Sequence, residues 1–322
     1  MISFQRRGWC AILLNMFRKL AAMVGIAMMW MDGNGIVHGG QIAVPNRSFE
    51  APATTFVTIN FDSWQKAPQP DWYVENGGFL WSQLIGAFKN TAATSSDHID
   101  NCDGNQALWL FAIPEVSLFQ DYNSVDWNDP APTHAFDAKF EAGKSYQLTV
   151  GVIGGGGGML EGVALEISLY YRDNADKKVT VAMTSITNKL IDFPTTTHLV
   201  DCTVRVPVVR VSDPWAGQRI GIQFLSTVTT NLQGGYWDLD NVRLASQVEP
   251  LLQTPVLSSG LFSFTLQSEP GSKFDILTTT NLTLAPTNWT TLATLTNASG
   301  TILFEDPVTS GARRFYQAVQ RP

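Results

Sequence analysis

Ser145-Tyr-Gln-Leu-Thr-Val-Gly-Val152, followed by Val163-Ala-Leu-Glu-Ile-Ser-Leu-Tyr-Tyr171, carries the reading of the fold. In both stretches apolar and polar residues alternate. Successive side chains of a strand point to opposite faces, so this period of two marks a half-buried strand. The pattern returns in Val179–Met183, Leu199–Val206, Arg219–Leu225 and Tyr236–Leu244. Turn residues separate these runs, and no amphipathic helix follows residue 43. Short strands without a strand–helix–strand rhythm predict an all-β jelly-roll or sandwich domain.

Composition agrees with a folded chain. Of 322 residues, 44% are hydrophobic and only 15% charged, enough for a sizeable core and about two domains. The 21 Lys+Arg against 28 Asp+Glu give a net charge of −7. Nucleic acid needs clustered cations to neutralise phosphates, so no nucleic-acid partner is expected. The aromatic content and low charge exclude disorder.

Residues 1–43 read as an export signal. Arg6 and Arg7, then Arg18-Lys19, precede the uncharged run Leu20–Met31, and a cut near Val37-His38-Gly39 follows. Met16 is an alternative start. A retained anchor would place Arg18-Lys19 in the middle of the span, which is costly in lipid. The mature protein is therefore expected outside the cell or at its surface, off the membrane. Cys102 and Cys202 then remain, as a disulfide or as two buried thiols. They and four His match no zinc spacing.

Three pieces follow the leader. Residues 44–247 form the jelly roll, 248–255 a linker, and 256–322 a small immunoglobulin- or fibronectin-like sandwich. Without Cys, that sandwich must rest on Phe264, Phe274, Trp289 and Tyr316. Val44-Pro-Asn-Arg-Ser-Phe-Glu50 resembles the opening strand of galactose-binding-like jelly rolls, including family-4-type carbohydrate-binding modules. Gly235-Tyr-Trp-Asp-Leu-Asp-Asn-Val-Arg-Leu244 resembles their closing strand. The resemblance implies that the first and last strands lie together, often with a structural Ca²⁺, and the wide spacing implies long loops. The stretches Pro270–Leu282, Phe304-Glu-Asp306 and Arg313-Arg-Phe-Tyr316 resemble a small β-module of exported proteins in Verrucomicrobia-like bacteria. That module has no assigned chemistry.

Candidate chemistry is sparse. Gly154–Gly158 lacks a following Gly-Lys-Ser/Thr and opens no helix, so it reads as a flexible hairpin loop rather than a phosphate loop. There is no Gly-x-Ser-x-Gly, no His-Glu-x-x-His and no acidic cluster of the kind a glycosidase needs. No enzyme is expected. Calcium takes carboxylate and carbonyl oxygens. Glu50, Asp238 and Asp240 are the candidate ligands, Glu50 and Asp240 through the implied strand pairing. Alternation sets Asp238 and Asp240 opposite Trp237 and Leu239. Facing out, the two acids repel unless a cation or donor lies between them; otherwise they are solvated, or Asp240 holds backbone amides. Asp97-His-Ile-Asp-Asn-Cys-Asp-Gly-Asn105 misses EF-hand spacing and reads as a polar turn.

Trp64, Trp72, Tyr73, Trp81, Trp127 and Trp215 fall in loop-like stretches beside Asp, Asn and Gln. Exposed aromatic rings stack on sugar faces, and neighbouring polar groups bind hydroxyls. Alternatively these rings cover the ends of the sandwich. Trp109, Trp237 and Trp289 read as core. The function expected from the sequence is an exported, non-catalytic carbohydrate-binding protein with a polysaccharide or glycan partner. A structural or adhesive surface protein is the alternative, and a polysaccharide-active enzyme the third reading.

Overall fold

Alternating stretches pair into antiparallel sheets throughout the computed structural model, which describes residues 40–76, 78–307 and 314–321. The expected export signal and its cleavage site fall almost wholly on residues 1–39, outside the described residues. Contacts divide the described chain into two units, one ending at Glu249 and one starting at Pro250. Among the described residues the helical turns are the 3₁₀ segments Trp81–Gln83 and Pro286–Asn288. None is long and apolar enough to cross a membrane.

The first unit is a jelly-roll β-sandwich. Its larger sheet holds β1 (Gly40–Ile42), β2 (Val57–Thr58), β4 (Ile85–Lys89), β5 (Gln106–Phe111), β9 (Lys144–Gly156), β12 (Val200–Val206) and β14 (Tyr236–Val248). Their order is β12-β9-β14-β5-β4-β2, with β1 paired to β14. The first and last strands of the unit, β1 and β14, lie side by side, in the register Gly40–Ser246 to Ile42–Leu244, whereas Val44–Glu50, the stretch that resembles an opening strand, is a turn after β1. The second sheet runs β11 (Lys178–Thr187), β10 (Ala164–Arg172), β13 (Gly221–Ser226), β6 (Ser117–Gln120) and β3 (Gln65–Lys66). A hairpin of β7 (Val125–Asp126) and β8 (Asp129–Pro132) stands apart.

The core lies between the sheets. Leu108, Leu110, Leu148, Val150, Val152, Trp237 and Leu239 come from the larger sheet. Leu118, Leu165, Ile167, Leu169, Ile222 and Phe224 meet them from the other. These are the inward members of the alternating runs. Burying each such side chain contributes roughly 1.5–3 kcal/mol. The glycine run departs from the expected loop: Gly154–Gly156 completes β9.

The second unit has two three-stranded sheets. One is β15 (Leu251–Ser258), β16 (Leu261–Gln267) and β19 (Thr301–Pro307). The other is β18 (Thr290–Thr296), β17 (Lys273–Thr279) and β20 (Phe315–Gln320). Phe262, Phe264, Phe274, Ile276, Phe304 and Tyr316 fill its core. Trp289, expected there, is half-buried outside that cluster and donates its indole N–H to Leu284 O at 3.1 Å. The stretch 248–255, read as a linker, is instead largely the edge strand β15.

Candidate active site

Strand pairing decides which side chains can meet. Across β14 and β5, Tyr236 pairs with Phe111 and Asp238 with Trp109. Across β14 and β9, Asp238 pairs with Ile153 and Asp240 with Gly151. Directly paired residues point to the same face. Phe111, Trp109, Tyr236, Asp238 and Ile153 therefore share the outer face of the larger sheet, opposite Trp237 and Leu239 in the core.

That outer face is not open to water beside the acids. The segment 90–105, of which Asp97–Asn105 reads from sequence as a polar turn, lies over it. Ile99 packs with Ala107, Ile153 and Leu199 in a small second apolar cluster. Asn90 clasps Ile99 through both amide atoms, at 2.9 and 3.0 Å. Asn101 does the same to Leu199, at 2.9 and 2.8 Å. On this face Asp238 is 8% exposed, and Asp240, which the segment reaches through Asp103, 0%.

Burial then sets the chemistry of both carboxyls. A low-dielectric surrounding disfavours the charged form. Asp238 is pushed up to about 8 by burial, and its Oδ1 has no hydrogen-bond partner. Asp240 is pushed up to about 7 by burial, against the N–H of Asp103, which donates to Oδ2 at 2.6 Å. Asp238 thus holds its proton at neutral pH. The two acids are neither solvated nor facing open water.

Glu50 and Asp240 do converge on one turn, through its backbone amides. Glu50 Oε1 accepts N–H bonds from Asn105 and Gln106, both at 2.7 Å. Arg47 pairs with Asp103 beside them at 3.1 Å. Among the described residues no group of three or more His, Cys, Asp or Glu is arranged to hold a metal ion. Of the expected calcium ligands, Asp238 and Asp240 each keep one buried oxygen, Oδ1, without a hydrogen-bond partner. Cys102 and Cys202 are free thiols. Cys202 packs against the main core and Cys102 against the outer cluster, on opposite faces of the sheet, so they do not bridge.

At the end of the same face lies a pocket of about 500 Å³. Trp72, Tyr73, Val74, Phe79 and Phe111 line it, with Gly234-Gly235 closing one side. Its rings are held by their polar tips. Trp72 Nε1 donates to Glu115 Oε1 at 2.9 Å, and the Tyr73 hydroxyl to Phe79 O at 2.8 Å. Behind them Trp81 is buried edge-on to Tyr73 at 5.0 Å and donates to Ala67 O at 2.9 Å. Phe79 lies 5.0 Å from Phe111, and Phe111 5.9 Å from Tyr236. Burial raises the Tyr236 phenol above its ordinary value, and the nearby Asp238 charge raises it further. One row of rings thus runs from the pocket to the buried acid.

Of the six aromatic candidates, Trp72, Tyr73 and Trp81 come together here. Trp64 is 3% exposed, stacked on Phe224 at 5.3 Å, with no face free for a ligand. Trp127 is exposed on the β7–β8 turn. Trp215 is half-buried against the core, its Nε1 without a partner. Trp109, read as core, lies on the outer face with its ring where a side chain on Gly86 would stand. Sequence reasoning missed Phe79, Phe111 and Tyr236. The signal for Tyr236 was present: it stands two residues before Asp238 on an alternating strand.

A model of the HpiC1-like family, described as HpiC1 cyclase, matches residues 40–245. The chain belongs to this family. Membership overturns the expectation of a non-catalytic carbohydrate-binding protein, because the family is one of cyclases. Its model covers the strands that carry the outer-face row. No curated protein matches the chain. Among solved structures, a cyclase from Fischerella sp. TAU is 21% identical, over 65% of this chain and 98% of that one, at a TM-score of 0.47. The Stig cyclase Fisc of Fischerella sp. TAU, in complex with (3Z)-3-(1-methyl-2-pyrrolidinylidene)-3H-indole, is 19% identical over 65% and 98%, at 0.45. The CBM22-1 xylan-binding domain of Paenibacillus barcinonensis Xyn10C is 12% identical over 58% and 86%, at 0.29.

Proposed function

We propose that the chain is a cyclase of small apolar, unsaturated molecules bearing an aromatic ring, with Asp238 as its general acid. The observation that supports this most is a buried, protonated carboxyl on the strand that starts directly after Gly234-Gly235, the glycine wall of the aromatic pocket. A carboxyl kept neutral by its surroundings can donate a proton at pH 7. Adding that proton to a double bond of the substrate gives a carbocation and leaves Asp238 as carboxylate. An internal double bond or ring then attacks the cation and closes the new ring. Loss of a proton from the cyclised cation returns Asp238 to its acid form. The reaction is an isomerisation and needs no co-reactant.

The remaining residues fit that course. Faces of Trp, Tyr and Phe attract cations, so Trp72, Phe79, Phe111 and Tyr236 offer stabilisation to a developing positive charge. The burial of Asp238 keeps out water, which would otherwise capture the cation as an alcohol. The test is to incubate the full chain with a panel of arenes carrying unsaturated side chains and to analyse the products by mass and NMR. A cyclic product of unchanged mass is expected, and Asp238→Asn should slow its formation by about 10²-fold or more. Turnover by Asp238→Asn at the wild-type rate would remove Asp238 from the role.

A further inference from the structure

A second pocket, of about 520 Å³, lies beside the end of β9. Met159, Leu190, Phe193 and Pro194 supply apolar walls, and Thr195, Thr196 and Thr197 complete the lining. Glu161 is the one charged residue lining it. The glycine run makes the pocket possible. A Cβ on Gly154 would stand 2.5 Å from Asn188 Oδ1 and 2.9 Å from the Phe193 ring, so the loop 188–197 packs directly on strand backbone. The walls are tied together. Asn188 is 5% exposed and donates its amide to Met159 O at 3.3 Å and Leu160 O at 3.0 Å. The Leu190 N–H donates to Glu161 Oε1 at 3.2 Å and holds that carboxylate at the wall.

The pocket is separate from the aromatic one. The two share no lining residue, and the Tyr236 ring packs against Gly156 and Gly157 on one side and Phe111 on the other. A side chain at Gly156 would meet the ring at 2.5 Å, so glycine there leaves room for Tyr236.

We infer that this second pocket is a binding site for a small apolar amine in its ammonium form. An ammonium group brings up to three donors and a positive charge. The lining answers with one carboxylate, three threonines and no cation. The apolar walls take the carbon body, as small-ligand sites do. An anion of the same shape meets only repulsion from Glu161. The inference goes beyond the cyclase reading and does not depend on it.

The experiment is calorimetric titration of the full chain with 2-phenylethylamine, 2-phenylethanol and phenylacetate. These three share a ring and differ in charge. The amine should bind at least tenfold more tightly than the alcohol, since a charge-assisted hydrogen bond contributes about 1.5–3 kcal/mol. Phenylacetate should bind least. Glu161→Gln should erase the preference of amine over alcohol. Thr196→Trp, which fills the pocket, should abolish amine binding while the melting temperature shows the chain still folded. The inference is overturned if no probe binds, if the amine binds no better than the alcohol, or if either variant keeps the wild-type preference. Asp238→Asn should leave amine binding unchanged, so loss of the cyclase reading and loss of this site appear in different measurements.

Discussion

Asp238 carries a proton that its residue type alone would not hold at neutral pH. The free carboxyl loses its proton near pH 3.8, and the folded one near pH 8. Between those values the folded state binds a proton that the unfolded chain has released. Stability linked to Asp238 therefore falls as pH rises through this window, and is fully present only below the unfolded value. The melting temperature of the wild type should drop between pH 5 and pH 9. Asp238→Asn, which cannot ionise, should flatten that slope and be the more stable protein at pH 9. A slope unchanged in the variant would show that Asp238 does not titrate there. The same property explains why the sequence concealed an enzyme. Nucleophile and metal motifs leave a fixed spacing, whereas an acid of this kind needs only one carboxyl whose proton is held by burial. The face of Asp238 was legible from alternation with Trp237. Its cover was not, because Asn90, Ile99 and Asn101 sit in a stretch that looks polar and acts through contacts with distant residues, Ile153 and Leu199.

Among elements, β9 and its glycine end join fold and site. Ser145–Val152 was legible as a strand because tertiary packing and local pattern agree there. Gly154–Gly156 was not, since glycine has no side chain to reveal a face and its low strand preference favours a loop reading. Its role appears only when Tyr236 is set against it. Gly156→Val would drive a branched side chain into that ring and into Tyr236 O, 2.7 Å from the new Cβ. Overpacking of this kind costs about 1–3 kcal/mol. A melting point several degrees lower is expected, with slower cyclisation as Tyr236 leaves its seat. Wild-type stability in Gly156→Val would mean that the ring is free to move. The edge strand β15 was missed for a related reason. Pro255 cannot donate to a ladder, and the register slips between Gln253 and Val256 around it. A proline at such a bulge reads locally as a linker.

At the scale of the whole molecule, the two units have separate apolar cores, and the family match ends at residue 245, inside the first unit. The outer-face row, the cover over the acids and both pockets belong to residues 40–249. Nothing in the proposed chemistry draws on the second unit. The boundary was nearly legible, because the acidic, proline-flanked step Glu249-Pro250 interrupts two alternating runs. Which side Leu251–Ser258 joins was not, since only pairing with β16 decides it. A chain ending at Glu249 should therefore fold and cyclise at a rate within about twofold of the full chain, as distant, unshared contributions add independently. In calorimetry it should keep the transition that Asp238→Asn alters with pH and lose the other. Loss of both transitions on truncation would mean that the first core depends on the second unit, and the site would then have to be sought in the two together.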